Sequence, residues 1–589
     1  MEVIQKIGRM PIALVVPALA VLLSVLGVPL LQLFLDSLNA PAFSLANYQA
    51  FFSRSAGMSV LLQTIEISLV ATGMCLIIGY PTAYLITNAS GRLRTVLIVL
   101  IVLPWLTSAL VRTYAWTVIL GDRGLINNLL LYPGVIANPL PLIYNRFGVY
   151  IGMVHIMLPV MILPLLSVMH GIDKSLMEAG RSMGARPLVA FWRIFVPLSL
   201  PGVRSGSLLV FVVCLGFYIT PQALGGLRET MLSTYIAAQF RNAFNLPVIA
   251  TSAFVLLALA MAVLFLFGLP FGSQRSAVQS PRKGSGRLNP LSKIADVYNE
   301  ASSGRRSTRW KTELYQSGQS SSWLSLIGAL FVVLVMVFLQ FPGLVIVVMS
   351  FSDGAFLEFP PSAFSLKWYR AFFGDPVWIG AFWTSIQVGV AVTILSTVIG
   401  TLAAYGLSRV SPGLRNILTM VILTPIIAPV IVVGVACYLG LINFGLVGST
   451  TGLVLAHSIG ATAYVVVTVS ATLANFDWQF ERAAKSMRAG PVRTFIRVTL
   501  PLIRPGIIGG ALFAFIASFD EVVVTSLVSG FALFTLPLKM WENMNQQIDP
   551  TIAAVGSLLT LMPLIWLILL YLTWWRARLA PQKTSSMPA

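Results

Sequence analysis

The stretch Glu178–Val203, EAGRSMGARPLVAFWRIFVPLSLPGV, returns in altered form at Glu481–Ile507, ERAAKSMRAGPVRTFIRVTLPLIRPGI. The serine–methionine pair, a phenylalanine, an arginine and two prolines keep their spacing between the copies. A gapped pattern that occurs once in each half of a long apolar chain indicates an internal repeat. In both copies apolar residues recur at helical spacing and basic residues occupy the other face. Each copy therefore predicts a short amphipathic helix outside the bilayer, ended by a proline.

The composition around these copies is that of a membrane protein. The chain has 589 residues, of which 57% are hydrophobic and 10% are charged, and this excludes a disordered chain and an ordinary soluble domain. A helix crosses a bilayer core with about 20 apolar residues. On that criterion we predict twelve membrane spans, near residues 11–35, 59–88, 95–119, 147–170, 205–222, 247–271, 323–350, 381–408, 417–438, 449–473, 508–528 and 552–575.

The formal net charge of +19 raises the question of a nucleic-acid partner. With both termini cytoplasmic, most of the 38 lysines and arginines fall in the predicted cytoplasmic segments, as the positive-inside rule requires. Membrane topology therefore explains the basic character, and no nucleic-acid partner is expected. The first apolar run is too long for a cleaved signal peptide, so we predict an uncleaved first helix. The three cysteines lie in apolar runs without paired spacing, which predicts neither a disulfide framework nor a metal site.

The copies divide the chain into two six-helix units, at 1–271 and 323–589, joined by a basic, flexible cytoplasmic linker at 272–322. In each unit the odd-numbered helices start inside, so the units are parallel. We expect a pseudo-twofold axis along the membrane normal, with a path between the units. Prolines inside apolar runs, such as Pro81 and Pro429, are expected to kink their helices. The chain contains no G-x-x-x-x-G-K-[ST] motif, so a partner has to hydrolyse any ATP.

The repeated copies resemble the EAA motif in the permease subunits of importer-type ABC transporters. In that family the motif lies on a coupling helix that docks into the cytoplasmic ATPase subunit; the simpler alternative is a basic helix on the membrane surface. We call residues 173–203 and 477–507 the first and second coupling loop. The resemblance implies that ATPase coupling involves Glu178, Ala179, Gly184, Arg186, Phe191, Pro197, Glu481, Ala483, Arg488, Phe495 and Pro501.

The second coupling loop departs from the motif. Arg482 stands where the acid belongs, Glu481 lies one residue early, and Arg488 replaces the glycine. A non-glycine residue resists the positive φ that a tight turn between helices often needs. We therefore expect the second loop to dock differently or less tightly.

Longer stretches resemble the two kinds of permease subunit in spermidine/putrescine-type importers. Residues 104–130 and 216–226 look like the first kind, and residues 364–373, 518–530 and 535–541 look like its partner. The resemblance implies one chain that fuses two permeases in the all-α fold of type I ABC importers, in the bacterial inner membrane. It also implies two cytoplasmic ATPase subunits that bind ATP and magnesium, an extracytoplasmic solute-binding protein, a polyamine as cargo and no cofactor in this chain.

Other functions are compatible with the same sequence. The subfamily also contains importers of iron(III), thiamine and phosphonates. A twelve-helix secondary transporter, in which membrane acids carry protons, is the alternative from another class. A membrane enzyme is least favoured, because the sequence shows no nucleophile–base constellation. The predicted spans contain no basic cluster, which argues mildly against an anionic cargo.

Three acids lie inside apolar runs: Glu66, Asp520 and Glu521. A charged carboxylate at mid-bilayer is costly unless it faces a cavity or a partner, so these residues are candidates for the substrate path. Glu66 and Asp520 lie at similar depth from the outer surface, which permits one cation-attracting ring. Gln387 matches Glu66 in the second half, so such a ring is lopsided. The alternatives are that one of these carboxyl groups pairs with Arg112, or that a protonated acid bonds to a neighbouring helix.

Aromatic side chains near these acids could form a cage for an alkylammonium group through cation–π contacts. The candidates are Tyr114, Trp116, Phe217, Tyr218 and Phe519. Aromatic residues at this depth more often belong to the interfacial belt. His155 and His457 recur at matching places in the two halves. Buried, hydrogen-bonded histidines are the commoner outcome, so we predict no metal site there.

Overall fold

A computed structural model describes residues 11–53, 55–267, 322–354, 358–530, 532–546, 549–561 and 565. These residues form helices joined by turns, and the one β-bridge within them pairs Ser352 with Phe364 outside any strand. The prediction of an all-α fold is confirmed. The predicted linker at 272–322 lies almost wholly outside the described residues, and so does most of the predicted last span at 552–575.

Helices are numbered in chain order. Those of the first unit are α1 Val16–Ser37, α2 Ala46–Ser53, α3 Ser55–Asn88, α4 Gly91–Val102, α5 Ala109–Leu120, α6 Leu125–Leu131, α7 Arg146–His170, α8 Lys174–Ser182, α9 Pro187–Leu215, α10 Ile219–Leu224, α11 Leu232–Asn242 and α12 Leu246–Leu266. Those of the second unit are α13 Ser322–Met349, α14 Lys367–Gly374, α15 Pro376–Leu407, α16 Pro412–Ile427, α17 Val430–Asn443, α18 Thr450–Ala474, α19 Gln479–Ser486, α20 Pro491–Leu502, α21 Arg504–Phe519, α22 Val523–Val528, α23 Leu536–Gln546 and α24 Thr551–Leu561. Apart from α6, each helix of the first unit has a counterpart in the second, and α9 corresponds to α20 and α21 together. The two units therefore repeat one architecture.

Two of the predicted spans contain a sharp bend of about a right angle. The span predicted at 95–119 is broken by a bend of 90° between α4 and α5, and the span predicted at 417–438 by a bend of 103° between α16 and α17. The second break lies at Ala428, whose backbone is extended, because a residue that precedes proline, here Pro429, disfavours the helical region. Thr107 has the same extended backbone at the first break. Both α5 and α17 therefore begin within a span, where the N–H groups of their first turns need partners.

The expectation that a proline ends each amphipathic helix is wrong. Helix α9 runs without a break through Pro197, and α20 continues past Pro501 before it bends by 75° into α21. A π turn lies just before each proline, at Phe191–Phe195 and at Phe495–Thr499. A proline ring clashes with the carbonyl group four residues back, and in both helices that carbonyl lies in the wider π turn. The widened turn gives the helix room to continue.

The first helix of each unit packs against the other unit. Ala18 of α1 is buried in one cluster with Ile399 and Ala403 of α15. Leu339 of α13 is buried in a cluster of first-unit residues, and its carbonyl oxygen lies 3.2 Å from Nε2 of His155 in α7. The two units therefore interlock, and helices from both enclose the space between them.

Candidate functional site

A cavity of about 430 Å³ lies between the two units, beside the two broken helices. Ligand-binding cavities commonly measure about 300–1,000 Å³ and are mostly apolar with a few polar groups. The polar side chains in the wall include Arg112, His457, Tyr464, Asp520 and Glu521, and the aromatic ones include Trp105, Phe217 and Phe513. In their ionised forms the two carboxylates outnumber the one guanidinium, so the wall favours a cation.

Asp520 reaches across the interface between the units. It follows α21 in the second unit, and its Oδ2 accepts a hydrogen bond of 3.3 Å from the backbone N–H of Ala109, the first residue of α5 in the first unit. A carboxylate at the N-terminus of a helix satisfies an unpaired N–H group and interacts favourably with the helix dipole. Asp520 therefore caps the broken helix of the opposite unit, and its side chain also lines the cavity.

The matching position in the first unit is Gly216, which contacts the other broken helix in a different way. A Cβ atom at Gly216 would lie 3.1 Å from Cα of Pro429, just before α17. Glycine allows this close approach because it has no side chain. The second unit thus contacts the broken helix of the first through the hydrogen bond from Ala109 to Asp520. The first unit contacts the broken helix of the second through the close packing of Gly216 on Pro429. The cavity is therefore not symmetric.

Glu521 also combines a structural contact with a place in the cavity wall. Its Oε1 accepts a hydrogen bond of 2.9 Å from the N–H of Val524, in the first turn of α22. The structure therefore brings Asp520 and Glu521 together at the cavity. Their contact with a substrate stays a prediction.

Glu66 lies elsewhere, and the predicted ring of Glu66 and Asp520 is not formed. Nη1 of Arg146 lies 2.5 Å from Oε1 of Glu66, and Nε of Arg146 lies 3.9 Å from Oε1 of Glu229. Glu66 therefore does not pair with Arg112, which lies in the cavity wall. The true partner is 80 positions away in the sequence, and no local pattern reveals a contact at that distance.

Arg112 is a buried cation in the cavity wall, a place that no local sequence pattern indicates. It is 4% exposed, and its Nε donates to the carbonyl oxygen of Ser108 at 3.4 Å. Among the described residues, Nη1 of Arg112 and Oδ1 of Asp520 have no hydrogen-bond partner. No ion pair within 4.0 Å joins these two side chains in that part of the chain. Within the described ranges a single guanidinium therefore lines the cavity, whereas a basic cluster is absent from the wall.

Three predicted substrate-path aromatics do not line this cavity. Trp116 is buried against a histidine ring at 5.7 Å, and Phe519 stacks on a phenylalanine ring at 5.5 Å. Tyr218 is 3% exposed and lines a separate, apolar cavity of about 320 Å³. Of the predicted cage, Phe217 lines the larger cavity. The other aromatic residues that line this cavity are Trp105, Tyr464 and Phe513. The sequence did not identify them, because the position of a single aromatic residue in an apolar run does not show which side of the helix faces the cavity.

The two recurring histidines are buried and hydrogen-bonded. Nδ1 and Nε2 of His457 lie 3.0 Å from the hydroxyl groups of Ser518 and Thr525, respectively. Nε2 of His155 lies 3.2 Å from the carbonyl oxygen of Leu339. Within the residues that the structure describes, no group of three or more histidine, cysteine, aspartate or glutamate side chains is placed to hold a metal ion.

The two coupling loops share one backbone turn. Each loop consists of a short helix, α8 or α19, a tight turn and the start of a second helix, α9 or α20. In the turn Gly184 has a φ of +88° and Arg488 a φ of +59°. Arg488 therefore adopts the left-handed conformation that it was expected to resist, at a cost of about 1–2 kcal/mol. The loops differ in their side chains and not in this turn.

A phenylalanine anchors each loop to the helix behind it. Phe191 packs against Tyr84 of α3 with ring centroids 5.2 Å apart, and Phe495 packs against Tyr405 of α15 at 4.7 Å. The remaining members of the predicted coupling set are mostly exposed; these exposed residues are Glu178, Ala179, Gly184, Arg186, Pro197, Ala483 and Arg488. Their contact with an ATPase stays a prediction.

Glu481 is an exception, because it is buried behind the second loop. It is 2% exposed, and its Oε1 accepts hydrogen bonds from Tyr405 at 3.1 Å and from Thr499 at 2.6 Å. Arg409 forms an ion pair with Oε2 of Glu481. Burial raises the pKa of Glu481, but the hydrogen bonds from Thr499 and Arg409 outweigh burial, so its pKa lies below the ordinary value. In this arrangement Glu481 supports the second loop from behind, and its role in ATPase coupling, which the resemblance implies, stays a prediction.

Two segments of the chain, residues 75–271 and 396–584, match the family described as binding-protein-dependent transport system inner membrane component. Together they make up more than half of the chain. The chain belongs to this family. The permease carries two copies of the family domain, one in each unit, which confirms the prediction of a fused two-half permease. As a membrane component of a transport system, the permease is not itself an enzyme.

Relatives of the permease match about two fifths of its chain and most of their own length. The spermidine/putrescine transport system permease protein PotB of Escherichia coli (strain K12) is 34% identical over 224 residues, which cover 38% of this chain and 81% of PotB. PotB of Haemophilus influenzae is 32% identical over 234 residues, covering 39% and 82%. The putrescine transport system permease protein PotI of E. coli is 30% identical over 233 residues, covering 38% and 81%. A solved bacterial ABC transporter involved in the import of the acidic polysaccharide alginate matches with a TM-score of 0.35 and 18% identity, over 45% of this chain and 97% of that chain.

Proposed function

We propose that the permease is the translocation subunit of an ATP-driven importer for small organic cations, with polyamines such as spermidine or putrescine as cargo. The observation that carries this proposal is the cavity between the units, where Asp520 and Glu521 outnumber Arg112. Carboxylates and aromatic faces both stabilise an alkylammonium ion, and Trp105 and Phe513 supply aromatic faces in the same wall. The names of PotB and PotI indicate the same class of cargo for these relatives.

The energy for import comes, in this proposal, from partner subunits. Two cytoplasmic ATPase subunits bind ATP and magnesium, and each docks on one coupling loop. A solute-binding protein delivers the cargo at the opposite end of the permease. The coupling loops and both chain termini then lie on the cytoplasmic side, in agreement with the basic character of the loops.

Helices link the coupling loops to the cavity. Helix α9 is a continuous helix of 29 residues, about 40 Å long at 1.5 Å per residue, and Phe217 in the cavity wall follows its end closely. In the second unit two helices, α20 and α21, connect the coupling loop to the cavity, with a bend of 75° between them. Asp520 follows α21 directly. ATP binding brings the loops together and opens the path outward, and hydrolysis reverses the movement.

Uptake by cells that lack their own polyamine importers tests the proposal. The permease is expressed with its ATPase and binding-protein partners, and entry of radiolabelled putrescine and spermidine is measured. Uptake should require an active ATPase. Asp520→Asn should lower uptake about tenfold or more, since a hydrogen bond to a charged group contributes about 1.5–3 kcal/mol.

Glu66→Gln is the matched control, because it removes a carboxylate outside the cavity and should leave uptake near the wild-type rate. Uptake that continues with an inactive ATPase would contradict an ATP-driven importer. Equal uptake by the wild type and Asp520→Asn would contradict the role of the cavity.

A further inference from the structure

We infer that the cavity between the units binds a cation that also carries a carboxylate more tightly than a bare diamine, so that small diamino acids are a further class of cargo beside the polyamines. This inference rests on the proposed function, because it assigns the cargo of the same cavity. Three charged side chains in the wall carry the argument: Arg112 from the first unit, and Asp520 and Glu521 from the second.

The charges of the wall define what a matching cargo has to offer. Two ammonium groups compensate Asp520 and Glu521, and one anionic group compensates Arg112. A bare diamine adds two positive charges and leaves the guanidinium of Arg112 without an anion to compensate it, and a buried charge without a partner is unfavourable. A purely anionic cargo is repelled by the two carboxylates in the same wall. A cargo that carries both kinds of charge satisfies all three residues.

The hydrogen bonds around Arg112 and Asp520 leave capacity for such a cargo. Oδ2 of Asp520 accepts a hydrogen bond from the N–H of Ala109. Nε of Arg112 donates to the carbonyl oxygen of Ser108, the residue before Ala109. Oδ1 of Asp520 and Nη1 of Arg112 are buried, and neither has a hydrogen-bond partner in the described part of the chain.

Buried polar groups in native proteins usually have such partners. Other buried polar atoms of the described residues also lack one, Oγ of Ser108 among them, but Oδ1 of Asp520 and Nη1 of Arg112 belong to charged groups in one cavity wall. The two side chains are held at the same helix end, yet within the described residues they do not form a direct ion pair. A ligand with an ammonium and a carboxylate attached to the same carbon atom, as in an α-amino acid, satisfies both groups at once.

Putrescine and ornithine are matched probes for this inference, because ornithine is putrescine with one added carboxylate. Equilibrium binding of each radiolabelled compound is measured with the full chain in lipid nanodiscs. The wild type should bind ornithine about tenfold or more tightly than putrescine, since a charged hydrogen bond distinguishes them.

Variants of Arg112 test whether its guanidinium causes the preference for ornithine over putrescine. Arg112→Gln should abolish the preference by weakening ornithine binding, with putrescine binding unchanged or tighter. Arg112→Lys should keep part of the preference because it keeps the charge. Arg146→Gln, which removes a guanidinium outside the cavity, should leave the ratio of the two affinities as in the wild type.

The outcomes separate this inference from the proposed function. Tighter binding of putrescine than of ornithine by the wild type, or equal weakening of both by Arg112→Gln, overturns the inference and leaves a polyamine importer standing. If Arg112→Gln does not fold, the ratios for the wild type and Arg112→Lys decide. Absence of binding for both probes overturns the inference, and only the additional absence of ATP-dependent putrescine uptake by cells contradicts the proposed function.

Discussion

The first and second coupling loops share a backbone and differ in what lies behind them. Behind the first, the rings of Phe191 and Phe195 stack 5.7 Å apart next to Tyr84. Behind the second, a buried ion pair between Glu481 and Arg409 occupies the corresponding space. The same backbone therefore accommodates two kinds of interior. The aromatic packing behind the first loop requires rings of matching shape. The ion pair behind the second loop requires both charged side chains and a deprotonated Glu481.

The difference extends to the surfaces of the loops. At the position of the motif's acid the first loop exposes Glu178, whereas the second exposes Arg482. Lys485 and Arg488 are exposed nearby on the second loop. An ATPase that docks on both loops would meet a carboxylate at one of them and a guanidinium at the other.

The largest effect is expected for Arg409→Ala. The substitution leaves the buried carboxylate of Glu481 without its cation, and breaking a buried ion pair in this way costs about 3–5 kcal/mol. Because the side chain of Arg409 is 26% exposed, we expect a cost near the lower end, about 3 kcal/mol. The midpoint of thermal unfolding of the purified chain measures it.

Asn88→Ala is the matched control, because Asn88 occupies the corresponding position behind the first loop and is exposed. Its effect should stay within about 0.5 kcal/mol, as is usual for surface substitutions. If both substitutions lower the midpoint equally, the contrast between the two interiors is wrong.

A smaller effect is expected for Glu178→Lys, which reverses the charge at the exposed acid of the first loop. We expect the apparent affinity for the ATPase to fall about tenfold, because like charges across an interface are unfavourable. The amount of ATPase that co-purifies with the permease measures this. The midpoint of thermal unfolding should not change, since the side chain is exposed.

Arg482→Glu sharpens the comparison, because it places a carboxylate at the matching position of the second loop. If the second loop docks through its cations, this variant should also retain less ATPase. Stronger retention would mean that both loops dock alike and that Arg482 weakens the contact.

A still smaller effect is expected from the turn residues. Gly184→Arg should destabilise the first loop by about 1 kcal/mol, because a side chain is unfavourable at positive φ. Arg488→Gly should be nearly neutral, since relief of that strain is offset by the greater freedom of glycine in the unfolded chain. Unfolding midpoints of the two variants test the pair, and a loss of stability in Arg488→Gly larger than in Gly184→Arg would contradict it.

The smallest expected effect is a dependence on pH that is stronger in the second loop than in the first. The pKa of Glu481 in the folded chain lies below its ordinary value of 4.5. Such a group contributes stability above its unfolded pKa, and that contribution is lost as the pH falls through the folded pKa. Hydrogen exchange in the second loop should therefore accelerate below about pH 4.5, relative to the first loop. The pKa of Asp173, which caps α8 in the first loop, is also lowered, by the hydrogen bond from the N–H of Ser175, but this group is exposed and the aromatic contacts behind it do not titrate. Parallel behaviour of the two loops would argue against this role of Glu481.

Much of the architecture is predictable because its signals are local in the sequence. The length of an apolar run indicates a span, and the spaced motif locates both coupling loops. The breaks at Thr107 and Ala428 are different, because the apolar run continues across each break and hydropathy does not report the direction of the backbone. The continuation of α9 through Pro197 is also hidden, because it depends on a π turn that has no pattern of its own.

The candidate site was predictable only in part, because its contacts join distant positions. Asp520 and Glu521 stand out as costly acids in apolar runs, and both line the cavity. Glu66 has the same signal, yet it pairs with Arg146 instead. The hydrogen bond between Asp520 and Ala109 spans 411 positions. A single sequence contains no information on such pairs beyond the types of residue available.

The packing of the first helix of each unit against the other unit has a consequence for the synthesis of the chain. Helix α1 leaves the ribosome first, but Ile399 and Ala403, against which it packs, are synthesised several hundred residues later. Until then α1 has only lipid and its own unit as neighbours. Cellular proteases that remove membrane helices without partners would therefore also remove any chain whose synthesis stops before the second unit is inserted.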